Sequence, residues 1–218
     1  PDALRLSGKL DYDALSKSLN YLVARHESLR THFSDVDGEA IQVIVPALHL
    51  DIPLQDLSKL SADSQREAIN TAMAQEWGAP FDLTCGPVIR ARLLKLGDEE
   101  HVLLRTLHHI VSDGWSTGVL NREFGLFYYA YARGEEPTLQ PLSIQYADFA
   151  LWQRSWLDEA ELGRGINYWR EQLAGIPERL ELPLDHPRPA LQTFNARVHT
   201  SIVPADRLAG LKKLGQGQ

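Results

Sequence analysis

Leu107-His108-His109-Ile110-Val111-Ser112-Asp113-Gly114-Trp115-Ser116 closes an apolar run with two adjacent histidines. An acid follows four residues after the second histidine, and a glycine stands where the next element begins. A strand that ends in a base and turns tightly into a helix holds a proton-transfer group at the rim of a cleft.

Upstream, Pro87 to Leu96 and His101 to His109 read as two strands around the polar turn Gly97-Asp98-Glu99-Glu100. This predicts Arg90-Ala91-Arg92-Leu93 and Leu103-Leu104-Arg105-Thr106 as antiparallel neighbours. Further upstream, Ala3 to Leu10 reads as a strand. Asp11 caps a helix whose apolar face is Leu15, Leu19, Leu22 and Val23. Leu29 to Phe33 and Ala40 to Val45 form an expected strand pair across Asp35-Val36-Asp37-Gly38, and a helix with Ala68, Ala72 and Met73 facing inward is expected from Ser61 to Trp77.

Downstream, helices are expected over Ser116 to Tyr131, Ser143 to Leu157 and Asp158 to Leu173. Pro177 to Pro189 reads as an extended linker, followed by a strand over Arg197 to Val203 and a helix start at Ala205.

Composition bounds the partners. The 218 residues are 44% hydrophobic and 23% charged, which is ordinary for a soluble globular α/β protein. A formal charge of −7 argues against a nucleic-acid-binding surface. No apolar run is long enough to span a bilayer, and the single cysteine, Cys85, suits a reducing compartment. A cytoplasmic protein is the expectation. The chain opens on Pro1 and stops just after a helical pattern begins, which reads as a piece of something longer.

His109 is the candidate catalytic residue. An unperturbed imidazole titrates near ~6.5, so it exchanges protons at cellular pH. The bland alternative is a core histidine satisfied by a backbone carbonyl. If strand geometry persists, His108 faces the other way and serves packing or orients the motif. A metal site on His109 and Asp113 lacks third and fourth ligands, so no metal is expected. Asp113 has three candidate roles: general base, helix N-cap, or ion-pair partner of Arg25 or Arg30. The ion pair is favoured, because an ordinary aspartate with pKa ~3.9 is a weak base for an ammonium. Gly114 is expected to permit a positive φ or a close backbone approach.

The H-H-x-x-x-D-G pattern resembles the condensation domains of non-ribosomal peptide synthetases. Arg25-His26-Glu27-Ser28-Leu29-Arg30-Thr31-His32-Phe33 is similar to the second motif of that family, and Tyr146-Ala147-Asp148-Phe149-Ala150-Leu151-Trp152-Gln153 to its fourth. The resemblance implies an α/β, chloramphenicol-acetyltransferase-like two-layer sandwich, one lobe of a V-shaped pseudo-dimer with the active site between lobes. The expected division is an N-terminal lobe over 1–176, then a crossing linker and the start of a truncated C-terminal lobe over 177–218.

The implied activity is amide formation between a donor thioester and an acceptor aminoacyl thioester. Upstream and downstream peptidyl carrier proteins present both on phosphopantetheine arms, and the lobe itself binds no cofactor. His109 would deprotonate or position the attacking amine, and the Gly114 N–H would help place the acceptor or polarise a thioester oxygen. Trp115 and Ser116 are candidates to line the substrate tunnel. Trp115 directly after Gly114 resembles peptide-forming members. The rival readings are a related acyltransferase using CoA or a carrier thioester, and a carrier-docking lobe inactive by itself.

Overall fold

The computed structural model describes residues 2–193 and 199–216. Helical and strand elements run in the order β1 (Asp2–Ser7), α1 (Tyr12–Arg25), a 3₁₀ turn (Glu27–Arg30), β2 (Thr31–Val36), β3 (Glu39–Ile44), β4 (Leu54–Asp56) and α2 (Ala62–Gly78). They continue with β5 (Ile89–Lys95), β6 (Glu100–Leu107), α3 (Gly114–Ala132), α4 (Tyr146–Trp156), α5 (Glu159–Gln172) and α6 (Ala205–Gly215). The chain separates into two compact units, Pro1–Asn167 and Tyr168–Gln218.

In the first unit a four-stranded sheet has the order β1-β6-β5-β4, and β2-β3 forms a separate hairpin. The expected antiparallel pair is present: Arg90 lies opposite Thr106 and Leu93 opposite Leu103. Strand alternation sorts these side chains between two layers. Ile89, Ala91, Leu93 and Leu103 pack with Leu15, Leu19, Leu22 and Val23 of α1 and Leu120, Phe124 and Phe127 of α3. Leu94, Val102 and Leu104 pack on the opposite side with Ala72, flanked by Ala68 and Met73 of α2. The first unit is a mixed α/β sandwich with open sheets: the α1–α3 pair forms one layer, the sheet the other, and α2 lies on the sheet's outer face.

Local chemistry sets the element ends. Asp11 Oδ1 accepts from the Ala14 N–H at 2.9 Å, capping α1 as expected. The β2–β3 connection is two residues, Asp37 at φ 56° and Gly38 at φ 83°. Two left-handed residues in succession are what a type I′ hairpin turn requires. The first of the two strands starts later than expected, because Glu27–Arg30 wind into the 3₁₀ turn. β4 was not expected. Its three residues are all exposed and pair in parallel with β5, so no hydrophobic alternation marks it.

Helix α4 buries no residue; its rings instead form an exposed ladder, Tyr146–Phe149 at 5.9 Å, Phe149–Trp152 at 5.6 Å and Trp152–Trp156 at 6.0 Å. The second unit holds the end of α5, a proline-containing stretch without regular structure, and α6. Of the strand expected over Arg197 to Val203, Arg197 and Val198 lie outside the described residues, and 199–203 have no regular structure.

One buried histidine makes stability depend on pH. His101 is 7% exposed and its Nδ1 has no hydrogen-bond partner among the described residues. Burial first, and the Lys95 charge second, hold its pKa below the ordinary value, with Asp98 opposing them. The unfolded chain therefore takes up this proton before the folded one does. The imidazole's stability contribution is complete above ~6.5 and is lost as pH falls through the depressed folded value. The unfolding midpoint is expected to drop as pH falls below about 7, and His101→Gln should flatten that slope. An equal slope in the variant would assign the acid sensitivity elsewhere.

Candidate functional site

β6 ends at Leu107, so His108 and His109 belong to the turn that follows and not to the strand. The alternation expected to separate them does not reach them; the turn itself does. The His108 N–H donates to the Val88 carbonyl at 2.9 Å, while its own carbonyl accepts from the Val111 N–H at 3.1 Å and the Ser112 hydroxyl at 3.2 Å. Its Nδ1 accepts from the Ile110 N–H at 3.0 Å, which places the ring proton on Nε2. The ring stands edge-on to Phe81 at 5.7 Å, and Phe81 in turn lies under the Arg90 guanidinium. His108 thus ties the turn to β5 and shapes it.

His109 is exposed and has no hydrogen-bond partner among the described residues. It opens into a cavity of about 490 Å³. One wall of that cavity is the turn itself, His109 to Asp113, with Ser116. Ser28, Phe33 and Gln42, from the 3₁₀ turn and the β2–β3 hairpin, and Tyr146 of α4 also line it. Trp115 is 85% exposed and is not among the lining residues, unlike Ser116.

The expected ion pair of Asp113 with Arg25 or Arg30 is not formed. Asp113 is the N-cap of α3: its Oδ1 accepts from the Ser116 N–H at 2.8 Å and the Ser116 hydroxyl at 2.7 Å. Those hydrogen bonds, the Trp115 N–H and the nearby His109 hold its pKa below the ordinary carboxylate value. An N-cap must sit at the helix start, where N–H groups converge, so local geometry outcompetes a distant arginine. Asparagine caps as well as aspartate, so Asp113→Asn is expected to leave the melting temperature near wild type, whereas Asp113→Ala should lower it. A matching loss in both would show that the negative charge has a partner after all.

Both arginines are engaged elsewhere. Arg25 Nε lies 3.3 Å from Glu123 Oε2, and its Nη1 donates to the Gln140 carbonyl at 2.7 Å. His26 Nε2 lies 2.7 Å from the same Glu123 oxygen. Arg30 bonds the Val45 carbonyl and Glu27. Gln145 then joins this segment to α4: its Oε1 accepts from the Glu27 N–H and its Nε2 donates to the Arg25 carbonyl. The Gln145 N–H donates to Asp148 Oδ2 at 2.8 Å, completing a capping box. Residues 25–33 and 145–153 are therefore locked together beside the histidine turn, and Tyr146 is delivered to the cavity.

Gly114 is the first residue of α3 and is not at positive φ; a Cβ there would meet nothing within 4 Å. The chain itself does not require glycine at this position, contrary to expectation, and the space beside the helix start is open. Ser28, Phe33, Gln42 and Tyr146 were not singled out from sequence. Three of them lie inside the quoted motifs, whereas Gln42 shows only as a polar residue within Ile41-Gln42-Val43-Ile44. Among the described residues no group of three His, Cys, Asp or Glu side chains is placed to hold a metal ion, and no helix is long and apolar enough to cross a membrane.

A family model described as "Condensation domain" matches residues 1–218. The chain is 48% identical over 216 residues to one of the linear gramicidin synthase proteins of Brevibacillus parabrevis, covering 99% of this chain and 3% of that protein. It is 44% identical to malpibaldin synthetase of Mortierella alpina, over 99% of this chain and 4% of the synthetase. Among solved structures, the X-domain from teicoplanin biosynthesis superposes with a TM-score of 0.75 at 34% identity, over 87% of this chain and 41% of that one. The starter condensation domain of rhizomide synthetase RzmA shares the fold, with a TM-score of 0.71 at 22% identity, over 81% of this chain and 42% of the other. The chain thus spans a few per cent of these synthetases and about two fifths of the solved domains.

Proposed function

The chain belongs to the condensation-domain family, and on that footing we propose that it is the N-terminal lobe of a domain joining two carrier-bound substrates through an amide bond. Residues 1–176 are the lobe, and 177–218 are the crossing linker and the start of a C-terminal lobe of a V-shaped pseudo-dimer. The observation that supports this reading is convergence: residues of all three quoted motifs, His109, Ser28 with Phe33, and Tyr146, line one cavity.

The reaction follows from the groups in that cavity. The donor waits as a thioester on the phosphopantetheine arm of an upstream peptidyl carrier, and the amine of a downstream aminoacyl carrier attacks its carbonyl. The C–N bond forms and the C–S bond breaks; nitrogen loses one proton and the departing sulfur takes one, so no oxidant or reductant is needed. His109, unpartnered among the described residues and open to the cavity, receives or orients the proton on nitrogen. His108 and Asp113 hold the turn, and the N–H at Gly114 is available to the acceptor or the oxyanion. Such a synthetase makes a secondary metabolite in the cytoplasm, where the free, exposed Cys85 stays reduced.

The test is single-turnover condensation between two loaded carriers, read by mass, in the intact parent module. Amide product is expected there, with little or none from residues 1–218 alone, because one wall of the reaction tunnel is then open to water. Acyl transfer from CoA to a free alcohol or amine, without carriers, would replace this reading with that of a related acyltransferase. Carrier binding without any product from the intact module would leave a docking lobe.

A further inference from the structure

We infer that Gln42 is a specificity-determining residue that accepts a hydrogen bond from a substrate N–H through Oε1. This rests on the reading of the cavity as the condensation site. Thr31 is 2% exposed, and its hydroxyl donates to the Glu27 carbonyl at 2.8 Å. A carbonyl can only accept, and a hydroxyl carries one proton, so Thr31 Oγ1 is left as an acceptor. Gln42 Nε2 lies 3.2 Å from that oxygen and donates to it. The amide orientation is thereby settled by the network. The NH₂ faces the protein, and the carbonyl oxygen takes the other side.

Gln42 is half-buried, lines the cavity beside Phe33, its cross-strand partner, and Oε1 receives no donor among the described residues. That oxygen is not sealed inside the protein, and Gln42 lines the cavity. A neutral, pre-oriented acceptor lining the same cavity as His109 selects an N–H over an oxygen at the same place, because two oxygens in contact leave both without a proton. Two substrate groups carry such an N–H: the amide of a peptidyl or N-acylated donor, and the acceptor amine.

The experiment compares wild type with Gln42→Leu in the intact module. It uses a peptidyl thioester donor and its isostere with an ester oxygen in place of the N–H. If the donor amide is the source, wild type prefers the N–H donor by about 10- to 100-fold in kcat/KM and Gln42→Leu erases that preference. If the acceptor amine is the source, the donor preference is equal in both proteins and the acceptor KM rises by about 10-fold or more in the variant. Calorimetric binding of donor and acceptor analogues in which a methylene replaces the thioester sulfur, leaving an unreactive ketone, reads the same discrimination without turnover. Absent condensation with this discrimination intact would count against the functional reading alone. Gln42→Leu that lowers kcat equally for every substrate, or changes neither preference nor KM, would overturn the assignment, and thermal unfolding separates these from a misfolded hairpin.

Discussion

His109→Ala in the intact module is expected to slow amide formation by about 10² to 10⁴, the usual cost of losing a positioned proton-transfer or amine-orienting group. The lobe should fold unchanged. The imidazole is exposed and bonds to nothing among the described residues, so its removal strands no partner. His108→Ala removes the acceptor for the Ile110 N–H and the edge contact with Phe81. Its loss should appear first as lower stability, with the rate falling as far as the turn is displaced. Single-turnover condensation and circular dichroism on both variants read the two effects separately. A His109→Ala variant that condenses at the wild-type rate would mean that the amine needs only to be held in place. An intact His108→Ala fold with abolished rate would exchange the two assignments.

Glu123→Ala is expected to destabilise the lobe by about 3 to 5 kcal/mol, the cost of leaving a buried charge without its counterion. The Glu123 side chain is 6% exposed and meets both Arg25, at 11%, and His26. Without the carboxylate, the guanidinium keeps only the Gln140 carbonyl among the described residues. Urea unfolding of the single variant beside Glu123→Leu combined with Arg25→Met tests the cause. The double variant should recover much of the loss, because the guanidinium is no longer stranded and only His26 lacks its former partner. A single-variant loss below ~1 kcal/mol would mean that water already solvates the pair.

The same cluster shows where sequence reading stopped short. Arginine in the Arg25–Phe33 motif called for an acidic partner, and Asp113 was the acid in view. Asp113 is consumed by the N–H groups at the start of α3, next to it in sequence, whereas the partner is Glu123, a charged residue on the apolar stripe of that helix. A glutamate there reads as a break in the pattern until α1 is packed against α3. Likewise Gln42 reads as an interruption of an apolar strand, and only the Thr31 hydroxyl shows which way its amide points.

What the sequence determined by itself is what neighbours along the chain decide. The Asp11 cap and the inward face of α1 follow from helical periodicity, and the Asp37-Gly38 turn from two residues that tolerate left-handed φ. The pairing of β5 with β6 follows from two apolar runs around a short polar turn. Tertiary structure decided whatever depends on residues far apart in the chain. β4 exists because β5 offers it a free backbone edge, and α2 took the outer face because Leu94, Val102 and Leu104 point there. The cavity exists because Gln145 bonds the backbone of Arg25 and Glu27 across more than a hundred residues. Hydrogen bonds and buried charges choose partners by distance in space, and no pattern along one chain carries that distance until the core has brought the segments together.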